Sequence, residues 1–118
     1  MFINIAESII VPEILEHLED VSFEDWLTAD LFANASRLPL KDLCANGGYP
    51  SAVGSVDVWM VEITQRRGKL WSGKFQVEFT EEQSGGSKAM AWTEHRSGEL
   101  LFALDTESAE IVFNTDVG

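Results

Sequence analysis

The sequence predicts an α+β fold, in which a helical first part is followed by an antiparallel β-sheet. Over residues 12–46 apolar side chains recur at helical spacing, whereas from Val56 onward apolar and polar side chains alternate. The loops between the alternating segments are short, so consecutive strands must pair antiparallel. Helices and strands that are segregated along a chain are typical of the α+β class. We expect the helices to lie across one face of the sheet.

Three helices are predicted in the first part of the chain. Pro12 begins the first, because proline fits the first turn of a helix, where its missing N–H is not needed. Ser22 is a suitable N-cap for the second, and Asp25 stands at the third helical position. Pro39 begins the third, and the glycine pair that follows ends it. The predicted helices are 12–20, 22–36 and 39–46, while residues 1–11 read equally as extended chain or a short helix.

The apolar stripe of the second helix has a polar interruption. The stripe consists of Phe23, Trp26, Leu27 and Leu31. Three polar residues lie within it or beside it, namely Asp30, Asn34 and Arg37. Either the helix breaks near Asp30, or these three side chains form a buried polar row. The break is the preferred interpretation, because helix ends are the least certain part of such a prediction.

Five strands are predicted to form a meander: 56–64, 70–80, 88–95, 99–105 and 109–114. The segment 70–80 has the clearest alternation. One of its faces carries Trp71, Phe75, Val77 and Phe79. Gly73 shares that face, where it either admits a neighbouring aromatic ring or marks a bulge. The loop "EEQSGGS" and the turn "RSG" connect the later strands.

The segment 56–64 is apolar on both faces, which is typical of a central strand that is covered twice. Trp59 and Trp71 are expected to lie beneath the helices, since large aromatic side chains dominate protein cores. If the second face of this strand is not covered by the chain itself, then a partner, a ligand or a second copy covers it. A homodimer built through such a face is compatible with either functional hypothesis below.

Charge is distributed unevenly along the chain. The sequence has 20 acidic and 8 basic residues among 118, which gives a net charge of −12. Residues 1–36 contain no lysine or arginine, and all the basic residues lie at Arg37 or later. This asymmetry argues against direct binding of a nucleic-acid backbone, because like charges repel and no counterions would be released. It permits binding to a basic partner, although a solvated acidic face that aids solubility is the commoner meaning of such a run.

Length and motifs limit the classes of function. The chain is long enough for one domain, 1–118. Cys44 is the sole cysteine, the first residues lack the positive region of a signal peptide, and no apolar run approaches the roughly 18 residues of a membrane helix. We therefore expect a cytoplasmic protein that does not enter a membrane. No phosphate-binding loop is present, and Cys44, His17 and His95 are too few for a zinc site, so neither a cofactor nor a metal is expected.

The leading hypothesis is a non-enzymatic, acidic interaction protein that binds the basic surface of a partner. Proteins of this kind include inhibitors and accessory proteins of nucleic-acid-handling proteins, which an acidic surface can block by imitating phosphate charge. No catalytic residues are predicted. The predicted partner-binding residues are Glu13, Glu16, Asp20, Glu24 and Asp25.

The alternative hypothesis is a small α+β pocket protein or enzyme. The triplet "EHR" ends a predicted strand, and alternation places Glu94 and Arg96 on one face and His95 on the other. In an enzyme, His95 and a nearby carboxylate would transfer protons. This requires a cavity beside His95, whereas the simpler interpretation of the triplet is a hairpin end with charges that face solvent.

Overall fold

An antiparallel sheet of six strands dominates the computed structural model, which describes residues 8–51, 55–83 and 91–114. The strands are β1 (Ser8–Ile10), β2 (Tyr49–Pro50), β3 (Asp57–Arg67), β4 (Leu70–Gln83), β5 (Trp92–Asp105) and β6 (Glu110–Asn114). Their order is β1–β6–β5–β4, and both β2 and β3 pair with β4 at its other side. The α+β class with an antiparallel sheet is thereby confirmed.

Helices are a smaller part of the described chain than the sequence predicts. They comprise one α-helix, α1 (Phe23–Ala33), and three short 3₁₀ helices, Pro12–His17, Ala35–Arg37 and Leu40–Leu43. The helices predicted over 12–20 and 39–46 are present only as shorter 3₁₀ helices, and the helix predicted over 22–36 ends three residues early. The sheet, and not the helical part, is the main element of the fold.

The shortened helices have local causes. The first predicted helix carries acidic residues at i, i+3 and i+4 with no lysine or arginine between them, and like charges at these spacings destabilise an α-helix. α1 continues through Asp30 and ends three residues later, so the predicted break lies further along the chain. The alternative of a buried polar row is wrong, because Arg37 is exposed. The C-cap of α1 is Asn34, whose side-chain Nδ2 donates to the Asp30 carbonyl at 2.8 Å. Pro39 then requires an extended residue before it, and Leu38 has that conformation.

One face of the sheet, here called the inner face, packs against α1 and the 3₁₀ helices. Its buried apolar side chains from the strands are Ile9, Val58, Phe75, Val77, Phe79, Leu100, Phe102, Leu104, Ile111 and Phe113. The helical segments contribute Ile14, Phe23, Leu27, Leu31, Leu38 and Leu40 to the same core. The alternation predicted over 70–80 is therefore confirmed. The opposite face of the sheet is here called the outer face, and the buried core residues of the described chain do not pack against it.

Gly73 lies on the inner face of β4, where an aromatic ring occupies the space of its missing side chain. A Cβ atom at this position would lie 2.4 Å from Phe102 Cζ and 2.5 Å from the Glu62 carbonyl oxygen. The prediction that this glycine admits a neighbouring aromatic ring is confirmed. The pairing of β3 with β4 also shifts between Ile63 and Gln65, so an irregularity lies opposite the same place.

A bulge in β3 explains why this strand looks apolar on both faces. Val58 pairs with Val77, and Ile63, five positions later, pairs with Gly73, so both lie on the inner face. The shift falls between Trp59 and Glu62, where Met60 has a φ of 54° and is 72% exposed. β3 pairs only with β4 in the described chain, so the prediction of a central, doubly covered strand is wrong. The homodimer stays a prediction without the support of that second apolar face.

The two tryptophans of this region have different positions. Trp71 lies on the inner face, where the ring of Phe23 in α1 makes an edge contact at 5.3 Å and the Arg66 guanidinium lies 4.5 Å from its centroid. Trp59 pairs with Gln76 and so belongs to the outer face, where it is half-buried. The prediction of a position beneath the helices is confirmed for Trp71 and wrong for Trp59.

β5 runs unbroken through the predicted turn "RSG". It pairs with β4 along its whole length, from Trp92 opposite Gln83 to Asp105 opposite Leu70. The separate strands 88–95 and 99–105 are therefore wrong, and residues 84–90, with most of the predicted loop, lie outside the described residues. The strand predicted over 109–114 is confirmed as β6. For residues 1–11 the sequence allows extended chain or a short helix, and the described part of this segment contains the strand β1. Among the described residues, no helix has the length and apolar character to cross a membrane.

Candidate interaction surface

The five predicted partner-binding residues lie together along the chain, at the surface. They occupy the first 3₁₀ helix, the turn after it and the first turn of α1, and each is exposed. We call Glu13, Glu16, Asp20, Glu24 and Asp25 the acidic face. In the part of the chain that the structure describes, none of the five forms an ion pair with a lysine or an arginine, whose ion pairs go to carboxylates of β4, β5 and the turn after β5.

Two members of the acidic face have structural partners. The Asp20 carboxylate lies 2.8 Å from His17 Nδ1 at the end of the first 3₁₀ helix. The Glu24 carboxylate accepts a hydrogen bond from the backbone N–H of Ile63 in β3, at 3.2 Å. The remaining three carboxylates make no hydrogen bond or ion pair within the described residues, so their charges face solvent.

Trp26 supplies an aromatic surface beside these carboxylates. Its ring stacks on that of His17, with centroids 3.9 Å apart and planes 10° from parallel. The tryptophan is nevertheless 47% exposed. The sequence places it on the buried stripe of α1, but the structure places it at the border of that stripe, since Phe23, Leu27 and Leu31 alone are fully buried there.

Negative charge is crowded where the first 3₁₀ helix meets α1. Burial raises the pKa of Asp30, and the neighbouring Glu13 carboxylate raises it further, while His17 acts in the opposite direction. Asp30 is thus an additional carboxylate close to the acidic face, and it forms no ion pair with a lysine or an arginine among the described residues. Carboxylates without lysine or arginine partners are therefore concentrated in this part of the described chain, which favours a negative potential there.

Sequence reasoning missed a buried polar cluster at the far end of β4. Glu81 is fully buried on the inner face. Its Oε1 accepts hydrogen bonds from Ala45 N–H at 2.9 Å and Arg96 Nε at 2.7 Å. Its Oε2 accepts from the backbone N–H groups of Asn46 at 3.1 Å and Gly48 at 2.8 Å. The signal was present, since strict alternation from Phe75 through Phe79 puts residue 81 on the covered face.

The triplet "EHR" belongs to this cluster in part. Glu94 and Arg96 lie on the inner face and His95 on the outer face, so the predicted alternation is confirmed. Arg96 Nη2 donates to Glu94 Oε2 at 2.6 Å in addition to its bond with Glu81. The interpretation of the triplet as a solvated hairpin end is wrong in position, because the triplet lies within a continuous strand, and wrong for the largely buried Arg96 side chain. The Glu94 and His95 side chains are exposed, as that interpretation requires.

Hydrogen bonding overcomes burial at Glu81. Burial alone would raise the pKa of this carboxyl, but the donors of Ala45, Gly48, Arg96 and Asn46 together lower the pKa to about 2. The same contacts, first with Glu81 and then with Glu94, raise the pKa of Arg96. Glu81 is therefore ionised throughout the neutral range and attaches the chain around Gly48 to the sheet.

This pKa predicts an acid-sensitive contribution to stability. Because the pKa of Glu81 is lower in the folded state than the ordinary 4.5, its stabilising contribution is present above pH 4.5 and is lost as the pH falls towards about 2. Glu81→Gln has no such proton to bind. We expect the difference in Tm between the wild type and this variant to shrink as the pH falls through that range. A difference that stays constant with pH in thermal unfolding would contradict the prediction.

His95 lines neither of two cavities that the described residues form. Its Nε2 contacts the Glu78 carboxylate on the outer face, and its side chain is 65% exposed. One cavity of about 600 Å³ lies between the end of α1 and β2, lined by residues that include Phe32, Leu38 and Tyr49. A second, of about 520 Å³, opens on the sheet beside Leu101. Neither is lined by His95 or by a carboxylate.

The described residues offer no arrangement for metal or thiol chemistry. Among them, no three or more His, Cys, Asp or Glu side chains are grouped so as to hold a metal ion. Cys44 is half-buried, and burial, followed by the nearby Glu81 charge, raises the pKa of its thiol, with Lys41 and Arg96 acting in the opposite direction. A thiol with a raised pKa is a poor nucleophile at neutral pH.

No protein-family model, curated protein or solved structure matches the chain. Two features of the described residues point towards a function. One is the acidic face, whose charges are not neutralised by lysine or arginine, and the other is the exposed ring of Trp26 beside it.

Proposed function

We propose that the protein is a non-enzymatic interaction protein whose acidic face binds a basic surface of a partner protein. The observation that carries this proposal is the half-exposed Trp26 ring, fixed by its stack on His17 and bordered by carboxylates that have no lysine or arginine partner among the described residues. A tryptophan fixed in this way provides a large contact area at a small cost in side-chain entropy.

Electrostatic attraction would bring the partner to this surface. A negative patch steers a positive one towards it, which raises the association rate above that of neutral surfaces. Because the carboxylates are exposed, salt screens them, so binding should weaken as the ionic strength rises. Trp26 would contribute to affinity through burial in the interface, which depends much less on salt.

The partner we propose is a nucleic-acid-handling protein, and this chain would act as its inhibitor or accessory protein. Such partners carry clusters of lysine and arginine that neutralise phosphates. Carboxylates spaced along the first 3₁₀ helix and the start of α1 would occupy those clusters in place of a phosphate backbone. By the same argument, the chain itself would not bind nucleic acid through this part.

Charge reversal on the acidic face tests the proposal. The variant replaces with lysine the three members that make no hydrogen bond within the described residues, namely Glu13, Glu16 and Asp25. A matched control makes the same change of charge on the outer face, at Asp57, Glu82 and Glu110, whose carboxylates likewise make no hydrogen bond within the described residues. From lysate at low salt, the wild type and the control should capture a basic protein that elutes as the salt concentration rises, and the acidic-face variant should not.

Two results would overturn the proposal. The first is the absence of any salt-sensitive basic partner of the wild type. The second is loss of the partner in the control but not in the acidic-face variant, which would place the interface on the outer face. With the partner in hand, Trp26→Ala should weaken binding about tenfold or more while leaving the slope of its salt dependence unchanged.

A further inference from the structure

The polar cluster around Glu81 has the form of a bound ligand and its site. Three backbone N–H groups, of Ala45, Asn46 and Gly48, and the Arg96 guanidinium converge on a single buried carboxylate. Successive backbone N–H groups that point into one concavity form an anion-binding site in many proteins. Here each carboxylate oxygen receives two donors, so the site matches the two-oxygen shape of a carboxylate and not a spherical anion.

The site is held together by contacts that do not involve its occupant. Asn46 Nδ2 donates to Glu94 Oε2 at 3.1 Å, and Arg96 Nη2 donates to the same oxygen at 2.6 Å. Glu94 therefore joins the loop to Arg96 independently of Glu81. Gly48 allows the close approach, since a Cβ there would lie 2.9 Å from Glu81 Oε2 and 2.7 Å from the Glu82 carbonyl oxygen.

We propose that residues 45–48 and Arg96 form a carboxylate-binding site, which the chain fills with its own Glu81. The loop is then attached to the sheet by an intramolecular ligand, in addition to the pairing of β2 with β4 that directly follows it in sequence. The inference does not depend on the acidic face. It requires that a small free carboxylate enter the site when the Glu81 side chain is removed, because the donors remain in place and would otherwise be left without acceptors.

The reactivity of the Cys44 thiol can be used to measure how firmly residues 45–48 are attached to the sheet. Cys44 directly precedes the site, it is half-buried, and its thiol lies 3.8 Å from the Leu40 carbonyl oxygen. Opening of the loop would expose the half-buried thiol fully, so the labelling rate rises with the open population. Because burial and the Glu81 charge raise the pKa of this thiol, rates are compared per thiolate, obtained from the pH dependence of labelling in each variant. Cys44 is the sole cysteine of the chain, so no other thiol contributes.

The test compares Cys44 labelling in the wild type and in Glu81→Ala, with formate as the probe. In the variant we expect labelling to be about tenfold faster or more, because four donors lose their acceptor. Formate should slow it towards the rate of the wild type in a saturable manner, whereas chloride at equal ionic strength should not. The wild type, whose site is filled, should not respond to formate.

Two further variants keep the test decisive. Glu81→Ala combined with Arg96→Ala should lose the response to formate, and Glu81→Gln, which fills the space with an amide, should show none. If Glu81→Ala does not fold, circular dichroism in formate replaces labelling, and recovery of the sheet spectrum in formate but not chloride supports the proposal. An unchanged labelling rate in Glu81→Ala, or equal effects of formate and chloride in either experiment, overturns it.

Discussion

Replacing Phe75 with alanine is expected to lower the free energy of unfolding by about 3–5 kcal/mol, the usual range for a phenylalanine removed from a packed core. Phe75 has no exposed surface. Its ring lies 6.0 Å from that of Phe102 and 6.1 Å from that of Phe113, so it joins β4 to β5 and β6 through side-chain contacts. These neighbours are fixed by the strands around them, and the cavity therefore cannot collapse fully.

Urea unfolding followed by circular dichroism measures this loss. Phe32→Ala is the matched control, because the same ring is 56% exposed near the end of α1 and its removal should change the free energy of unfolding by no more than about 0.5 kcal/mol. Similar losses for the two variants would mean that the inner face is not the centre of the core.

Replacing Gly73 with alanine should destabilise the protein by about 2 kcal/mol or more. At a position of negative φ, glycine to alanine ordinarily stabilises a protein by reducing the entropy of the unfolded chain. Here the added methyl group would overlap Phe102 Cζ and, at 2.5 Å, the Glu62 carbonyl oxygen, which belongs to the backbone and has little freedom to move. Destabilisation by Gly73→Ala therefore indicates that neighbouring atoms fill the space beside Gly73, whereas stabilisation would indicate that this space is free.

Thermal and urea unfolding measure the sign directly. Ser72→Ala, one residue away on the outer face, serves as the control and should be close to neutral. Phe102→Leu in the Gly73→Ala background removes one of the two overlaps, so the double variant should lose less than the sum of the single variants. A Gly73→Ala variant that is as stable as the wild type would contradict the structure at this contact.

The sequence predicts best where one rule acts alone. Over 70–80 a strand has one covered and one uncovered face, and period-2 alternation identifies the inward residues, including the space at Gly73. The stripe of Phe23, Leu27 and Leu31 in α1 follows from the helical period in the same way. In these elements the local pattern and the tertiary environment agree.

The errors arise where a contact distant in sequence overrides the local pattern. The extra residue in β3 near Met60 changes which positions of the strand face inward, from the even-numbered positions before it to the odd-numbered ones directly after it. In the sequence alone, this pattern cannot be distinguished from a strand with two apolar faces. The "RSG" segment has turn-forming residues, yet β4 pairs with it continuously and Leu43 packs over Gly98. Neither partner can be identified from the residues around the segment itself.

The sequence predicts which residues form the acidic face, but it does not predict how they are arranged around Trp26. The carboxylates of the acidic face are exposed, and their lack of lysine and arginine partners in the described chain follows from the uneven charge of the sequence. The stack of His17 on Trp26 depends on how the first 3₁₀ helix crosses α1, which no periodicity encodes. The role of these residues in binding a partner stays a prediction.

The irregular course of β3 has a consequence for self-association. A strand at the margin of a sheet exposes unpaired N–H and C=O groups, on which other chains can add strands and begin to aggregate. In β3 the bulge at Met60 and the shift after Ile63 interrupt the regular spacing of those groups, and Glu24 already accepts one of the N–H bonds. An intermolecular strand would therefore find no long, regular template along this margin, and the fold can keep an open sheet at lower risk of forming fibrils.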